Sequence, residues 1–228
     1  MKNKIALITG ATSGIGRATA RLLAKQGFDL VACGRRQERL DELAQELGAT
    51  VRVHTLRFDV RDAEAVNQAI ASLPADFASI DLLVNNAGNA HGRGPIDQGD
   101  LADWDAMIDI NVKGLLYVSR AVLPGMAARR SGHVINIGSV AGQEVYAGGN
   151  VYCASKFAVD ALTKGMRLDL NAHGIRVTSV SPGLVETEFS LVRFKGDAQA
   201  AAKVYEGFSP LTADDIADLV VFAATRPP

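Results

Sequence analysis

Tyr152 and Lys156 stand four residues apart in Tyr152-Cys-Ala-Ser-Lys156. On a helix that spacing puts both on one face. A free phenol titrates near about 10, too high for efficient proton exchange near neutrality. An ammonium one turn away favours the phenolate and lowers that value. Ser139 follows a strand-like run, and its hydroxyl can donate to a substrate oxygen as negative charge develops. These types suit proton transfer at the oxygen of an alcohol or carbonyl. Taken alone, a Tyr-x-x-x-Lys is more often a packed ring with a snorkelling lysine, and Ser139 a turn cap. Tyr146 is the nearby competitor, but Asn150 holds its +4 position, so it lacks the lysine.

A second constellation lies near the N-terminus. Thr9-Gly10-Ala-Thr12-Ser13-Gly14-Ile15-Gly16 separates a strand-like run from a helical one. Glycines there allow a tight turn and close approach of backbone to a pyrophosphate, and the helix start offers free N–H groups and a positive dipole end. Many tight strand-to-helix turns need glycine for packing alone. The next strand ends in Cys33-Gly34-Arg35-Arg36. An NAD site wants a carboxylate at that turn and an NADP site a cation for the 2′-phosphate. No acid is present there and two guanidiniums are, which favours NADP. A solvated basic helix start is the alternative, since Gln37-Glu38-Arg39 follows.

The elements that must position these residues alternate. Strand-like runs are Ile5–Ile8, Leu30–Cys33, Val51–Phe58, Ile80–Val84, His133–Ile137 and Ile175–Val180. Helical periodicity covers Ile15–Lys25, Glu38–Leu47, Ala63–Leu73, Leu101–Arg129 as one or two helices, and Val151–His173. Near-continuous apolar strands alternating with helices predict an α/β fold: one Rossmann-type, doubly wound parallel sheet with helices on both faces. Residues 1–228 read as one dinucleotide-binding and catalytic domain. Pro182–Phe208 is polar, Gly-containing and irregular, and follows a strand's C-terminal end. It is expected to form a lid, at about 183–208.

Bulk properties exclude other classes. A formal net charge of −1 over 228 residues gives no field to draw the chain onto nucleic acid or an anionic membrane. No apolar run reaches the ~20 residues of a membrane helix. Met1–Lys4 enters a strand-like run at once, without the pattern of a signal peptide. Cys33 and Cys153 form no C-x-x-C, and His54, His91, His133 and His173 lack metal-ligand spacing. No metal is expected, and a reducing cytoplasm is the expected compartment.

Thr9-Gly10…Gly14-Ile15-Gly16, Asn85-Asn86-Ala87-Gly88, Ser139, Tyr152…Lys156 and Pro182-Gly183 together resemble the signature set of the short-chain dehydrogenase/reductase family. The motifs fall in the family's order, and the resemblance covers essentially the whole chain. It implies hydride transfer between NADP and a carbonyl carbon, with Tyr152 as acid/base and Ser139 and Lys156 as partners. Asn111, in Ile110-Asn-Val-Lys-Gly114, resembles the family's fourth member, which positions a water in a proton relay toward Lys156. Asn86, Ala87 and Gly88 are then expected beside the adenosine ribose, and Asp59 and Val60 at the adenine. Pro182, Gly183, Val185 and Thr187 are expected to hold the nicotinamide carboxamide. Read without the resemblance, these segments are turns, and Asp59 a cap for the Ala63 helix.

Three stretches narrow the resemblance: Gly34–Leu40, Tyr146–Tyr152 and Thr187–Asp197. They are similar to NADP-dependent 3-hydroxy acid dehydrogenases acting on serine, allo-threonine and 3-hydroxypropionate-type substrates. Such substrates carry a carboxylate, so a lid cation is expected, with Arg193 and Lys195 the candidates. Gln143 and Tyr146 are expected to line the pocket, and Glu186 and Glu188 would repel a substrate carboxylate if they faced it. A broad-specificity NADPH carbonyl reductase or ketoreductase, and a non-catalytic NADP sensor, are the competing readings. The family implies a homotetramer or dimer. Its chains usually continue past the last helix into a seventh strand that contributes to subunit contacts, whereas this sequence stops at Arg226-Pro-Pro228.

Overall fold

The structure, a computed structural model, describes residues 3–227. Its described strands are β1 (Ile5–Thr9), β2 (Asp29–Gly34), β3 (Val53–Arg57), β4 (Leu82–Asn85), β5 (Gly132–Ile137) and β6 (Ile175–Val180). They form one parallel sheet in the order β3-β2-β1-β4-β5-β6. The order reverses between β1 and β4, and open sheets of this kind hold ligands in the crevice at such a switch point.

Both faces of the sheet are buried, which is why the strands read as unbroken apolar runs. Successive residues of β1 point to opposite faces. Ala6 and Ile8 join one core with Leu23, Leu40 and Val220; Ile5 and Leu7 join the other with Val66, Val122 and Met126. Each fully buried Leu or Ile contributes about 1.5–3 kcal/mol. The first face is covered by α1 (Gly14–Lys25), α2 (Gln37–Leu47) and α9 (Ala213–Thr225), the second by α3 (Ala63–Ala71) and α5 (Leu115–Arg129). Asp62 caps α3 by accepting from Glu64 and Ala65 N–H, and Thr212 with Asp215 forms a capping box on α9.

Some expected bounds shift. The third strand starts at Val53 rather than Val51, and the fourth at Leu82 rather than Ile80. The Leu101–Arg129 stretch is helical throughout, as α4 (Leu101–Ile108), a π-helical stretch at Asp109–Gly114, and α5. The expected irregular segment contains two short helices, α7 (Glu188–Arg193) and α8 (Ala198–Lys203), capped by Thr187 and Asp197 side chains. Gly196, at φ +94°, lies between the two, and Gly207, at φ +81°, follows α8. The long helix α6 spans Asn150–Asn171.

Candidate active site

The Gly-rich turn is built as its composition requires. Gly10 and Gly14 have φ of +67° and +47°, and a Cβ on Gly10 would lie 2.8 Å from Asn86 Nδ2. Gly16 sits below the turn against the Gly10 carbonyl and Asn86, outside the cleft, so its role is close packing. Asn86 clamps the turn: its Nδ2 donates to the Thr9 carbonyl at 2.8 Å, and the Asn86 and Ala87 N–H groups donate to Thr9 Oγ1. Neighbouring Asn85 is buried and donates to Ser119 and Asn136, tying β4 to α5 and β5. Ser13 makes no side-chain cap on α1, so the first-turn donors are left for an anion in the cleft.

A cleft of about 370 Å³ starts at this turn and runs past the ends of β1, β4 and β5 beneath the 182–208 segment. Gly10, Thr12, Ser13, Gly14 and Ile15 line it with Arg35, Arg36, Asp59 and Val60. Asn86, Ala87 and Gly88 form its middle, and Ser139, Tyr152, Lys156, Pro182, Gly183, Val185, Thr187 and Arg193 its other end. The candidates spread over more than 180 positions of sequence therefore meet in one crevice. Free donors at α1, glycine-lined backbone and two guanidiniums fit a dinucleotide with a 2′-phosphate. Asp59 takes a paired contact from Arg61 and lies 3.7 Å from Arg35. Burial acts to raise its carboxyl, but Arg61 holds it below the usual range. Asp62, not Asp59, caps α3, which removes the capping alternative.

Tyr152 lies on the buried face of α6 with Lys156 one turn on. Ser139 has extended backbone, and its Oγ accepts from Ala141 N–H at 3.1 Å, so it caps a turn and faces the cleft at once. Burial pushes the Tyr152 phenol up to about 12, against the pull of the Ser139 hydroxyl. Burial also brings the Lys156 ammonium down to about 8. The expected lowering of the phenol by Lys156 is not what the structure contains. Lys156 Nζ donates to the Ile137 carbonyl at 3.0 Å and lies 5.9 Å from the Tyr152 ring centroid. Arg193 is the cation that acts to lower the phenol.

Asn111 sits in the π-helical stretch, below the cleft rather than lining it. Its Nδ2 donates to the Asn89 carbonyl and to Ser155 Oγ, and its Oδ1 accepts from Asn89 N–H at 2.8 Å. A Cβ on Gly88 would lie 3.1 Å from Asn111 Oδ1 and 3.6 Å from Lys156 Nζ, which places the three together.

Arg193 reaches the Tyr152 end of the cleft from α7. It is buried, its Nε donates to the Gly92 carbonyl and its Nη1 to the Tyr146 hydroxyl, while Nη2 is buried without a partner among the described residues. Tyr146 stands behind Arg193 and does not line the cleft itself. That overturns the expectation that Tyr146 lines the pocket, and two more expectations fail here. Lys195 turns outward onto Asp100 and Asp103, at 3.4 and 3.0 Å. Gln143 follows the Ser139 turn with its side chain exposed, outside the cleft. Phe189, which sequence reasoning missed, meets the Tyr152 ring edge-on at 5.6 Å. Glu188 was missed as a cleft residue at the Arg36 end. Its only signal was its place in the irregular 182–208 segment. Among the described residues no His/Cys/Asp/Glu group could hold a metal, and no helix is long and apolar enough to cross a membrane.

The strand order and the crevice at its switch point define a dinucleotide-binding α/β protein. Residues 4–197 match the short chain dehydrogenase family, and the chain belongs to that family. It is 51% identical over 98% of its length to sulfoacetaldehyde reductase 2 of Chromohalobacter salexigens, covering 89% of that protein. It is 50% identical to the NADP-dependent 3-hydroxy acid dehydrogenase YdfG of Escherichia coli K12, over 98% of this chain and 90% of that one. The closed form of a serine dehydrogenase complexed with NADP+ superposes with a TM-score of 0.94 at 50% identity, over 98% and 90% of the two chains.

Proposed function

We propose that this chain is an NADP-dependent oxidoreductase that interconverts a small 3-hydroxy acid and its carbonyl form, with Tyr152 as the acid/base. The observation that carries this reading is the Ser139, Tyr152, Lys156 and Arg193 cluster at one end of a cleft whose other end holds Arg35 and Arg36. The relatives' names, a 3-hydroxy acid dehydrogenase and a serine dehydrogenase with NADP+, support it.

NADP, when bound, supplies or accepts the hydride. In reduction Tyr152 gives its proton to the substrate oxygen, and the Ser139 hydroxyl donates to that oxygen as charge builds. A phenol held near about 12 keeps its proton at neutral pH, as an acid in this direction requires. Oxidation reverses both transfers. Lys156 is anchored on the Ile137 carbonyl one turn from Tyr152 and faces the cleft, and Asn111 fixes Asn89 and the Ser155 turn of α6. Arg193 offers its unpartnered Nη2 to the substrate carboxylate. A sulfonate suits the same guanidinium, and the sulfoacetaldehyde reductase relative favours testing it. Glu186 is exposed and Glu188 faces the arginines, so neither repels the substrate.

Residues 183–208 act as the lid of a single domain in this reading. The cytoplasm is its compartment, supported by two buried free thiols. A homotetramer or dimer is supported by exposed Phe157 and Leu168 on α6 and Phe222 on α9.

The test is an NADP(H)-coupled screen of small 3-hydroxy acids, their semialdehydes, the sulfonate analogues and neutral carbonyls. Turnover of serine or 3-hydroxypropionate-type substrates is the expected result. Turnover of neutral carbonyls alone would replace the reading with a general carbonyl reductase. NADPH binding with no turnover would replace it with a sensor.

A further inference from the structure

The lid carries an acid into the phosphate end of the cleft. Glu188 opens α7, and Arg36 precedes it by 152 residues. Its carboxylate accepts from Arg36 Nη1 at 3.0 Å and from Arg39 Nη1 at 2.5 Å. Arg36 is held from its other side, where Nη2 donates to Thr12 Oγ1 at 3.2 Å. Glu188 shares the cleft wall with Thr12, Arg35 and Arg36, whereas Arg39 supports it from outside that wall. The turn after β2 lacks an acid in sequence, yet the fold supplies one there.

We propose that Glu188 is an internal anion that competes with the 2′-phosphate of the dinucleotide for Arg36, and so limits how strongly the cleft prefers a phosphorylated ribose. The inference rests on the NADP reading above. A carboxylate and a phosphate seek the same guanidinium donors, and a bidentate phosphate contact needs two adjacent ones. Arg36 turns Nη1 to Glu188 and Nη2 to Thr12, so a phosphate that takes this paired edge either displaces the Glu188 carboxylate or shares the guanidinium with it. Arg39 remains as the partner of a Glu188 that has let go of Arg36, which spares the carboxylate from being stranded. The charges then balance: the guanidiniums of Arg35, Arg36, Arg39 and Arg61 stand against the carboxylates of Asp59 and Glu188 and a phosphate of about −2. For an unphosphorylated ribose the same carboxylate can accept from the 2′-hydroxyl. Glu188 therefore acts against the phosphate and not against the hydroxyl.

The test is calorimetric binding of 2′,5′-ADP and 5′-AMP to the protein and to Glu188→Gln. Tighter binding of 2′,5′-ADP by the unaltered protein checks the NADP reading; equal binding overturns it and this inference with it. Glu188→Gln should bind 2′,5′-ADP about tenfold tighter while 5′-AMP stays within about twofold. In an Arg36→Ala background the gain from Glu188→Gln should largely disappear. An unchanged or weaker 2′,5′-ADP affinity, or an equal change for both nucleotides as a simple lid latch would give, overturns the competition. If Glu188→Gln does not fold, Glu188→Asp replaces it. The retreat of the carboxylate by one methylene should give a smaller gain in the same direction, and no gain overturns the inference.

Discussion

The Arg193 guanidinium donates to the Tyr146 hydroxyl at 2.8 Å and lies over the Tyr146 and Tyr152 rings, at 5.4 and 5.7 Å. Helix α7, the loop after β5 and the long helix α6 thus converge on one cation. Tyr146 fixes the guanidinium and leaves Nη2 for an anion. Arg193→Ala should therefore raise KM for a 3-hydroxy acid about 100-fold, the scale of a lost charge-assisted pair. Turnover of a neutral aldehyde should change far less. Equal losses for both substrates would remove Arg193 from carboxylate recognition.

The two tyrosines should separate kinetically. Tyr152→Phe removes the proton donor and should lower kcat by about 10²–10⁴, with nucleotide binding retained. Tyr146→Phe removes only the hydroxyl that receives Arg193, so its effect should fall on KM. Steady-state kinetics with both variants decides this. A kcat loss in Tyr146→Phe matching that of Tyr152→Phe would contradict the assignment of roles.

Much of this site was legible because the residues that build it also obey local rules. Gly10, Gly14 and Gly16 announce a turn without room for side chains, and the Tyr152–Lys156 spacing announces one helix face. Strands buried on both sides announce themselves by composition. What stayed hidden depends on where long, flexible arms end. Arg193 and Lys195 are two residues apart, yet one turns in to Gly92 and Tyr146 and the other out to Asp100 and Asp103. Gln143 is close to Ser139 in sequence, but the turn after Ser139 carries it to the surface. Lys156 was expected to act on the Tyr152 hydroxyl, and its partner in the structure is the Ile137 carbonyl. Glu188 meets Arg36 across 152 positions, which no local pattern encodes.

The glycine turn gives a stability contrast. A Cβ on Gly16 would drive into the Gly10 carbonyl and Asn86 Nδ2, both fixed by the turn itself. Gly183 has no atom within 4 Å of a Cβ. Gly16→Ala should lose about 1–3 kcal/mol by denaturant unfolding, and Gly183→Ala less than about 0.5 kcal/mol. Equal midpoints for the two variants would show that the turn relaxes freely.

Lys156 and Tyr152 should leave opposite marks on stability at alkaline pH. Burial holds Lys156 near about 8 in the folded protein, below its ordinary 10.5. Between those values the unfolded chain binds the extra proton, so this group makes stability rise with pH. Burial raises Tyr152 to about 12 from 10.0. Above 10 the unfolded chain loses the phenol proton first, so this group makes stability fall until the folded phenol ionises as well. Cys33, whose thiol burial also pushes up, acts in the same falling direction and is common to every variant. The measurement is therefore a difference: urea midpoints from about pH 7.5 to 10 for the protein and for Lys156→Met. The variant should lack the rising component, so its stability relative to the parent should drop steadily across that range. A constant offset between the two curves would mean that Lys156 titrates at the same pH folded and unfolded, contrary to its burial.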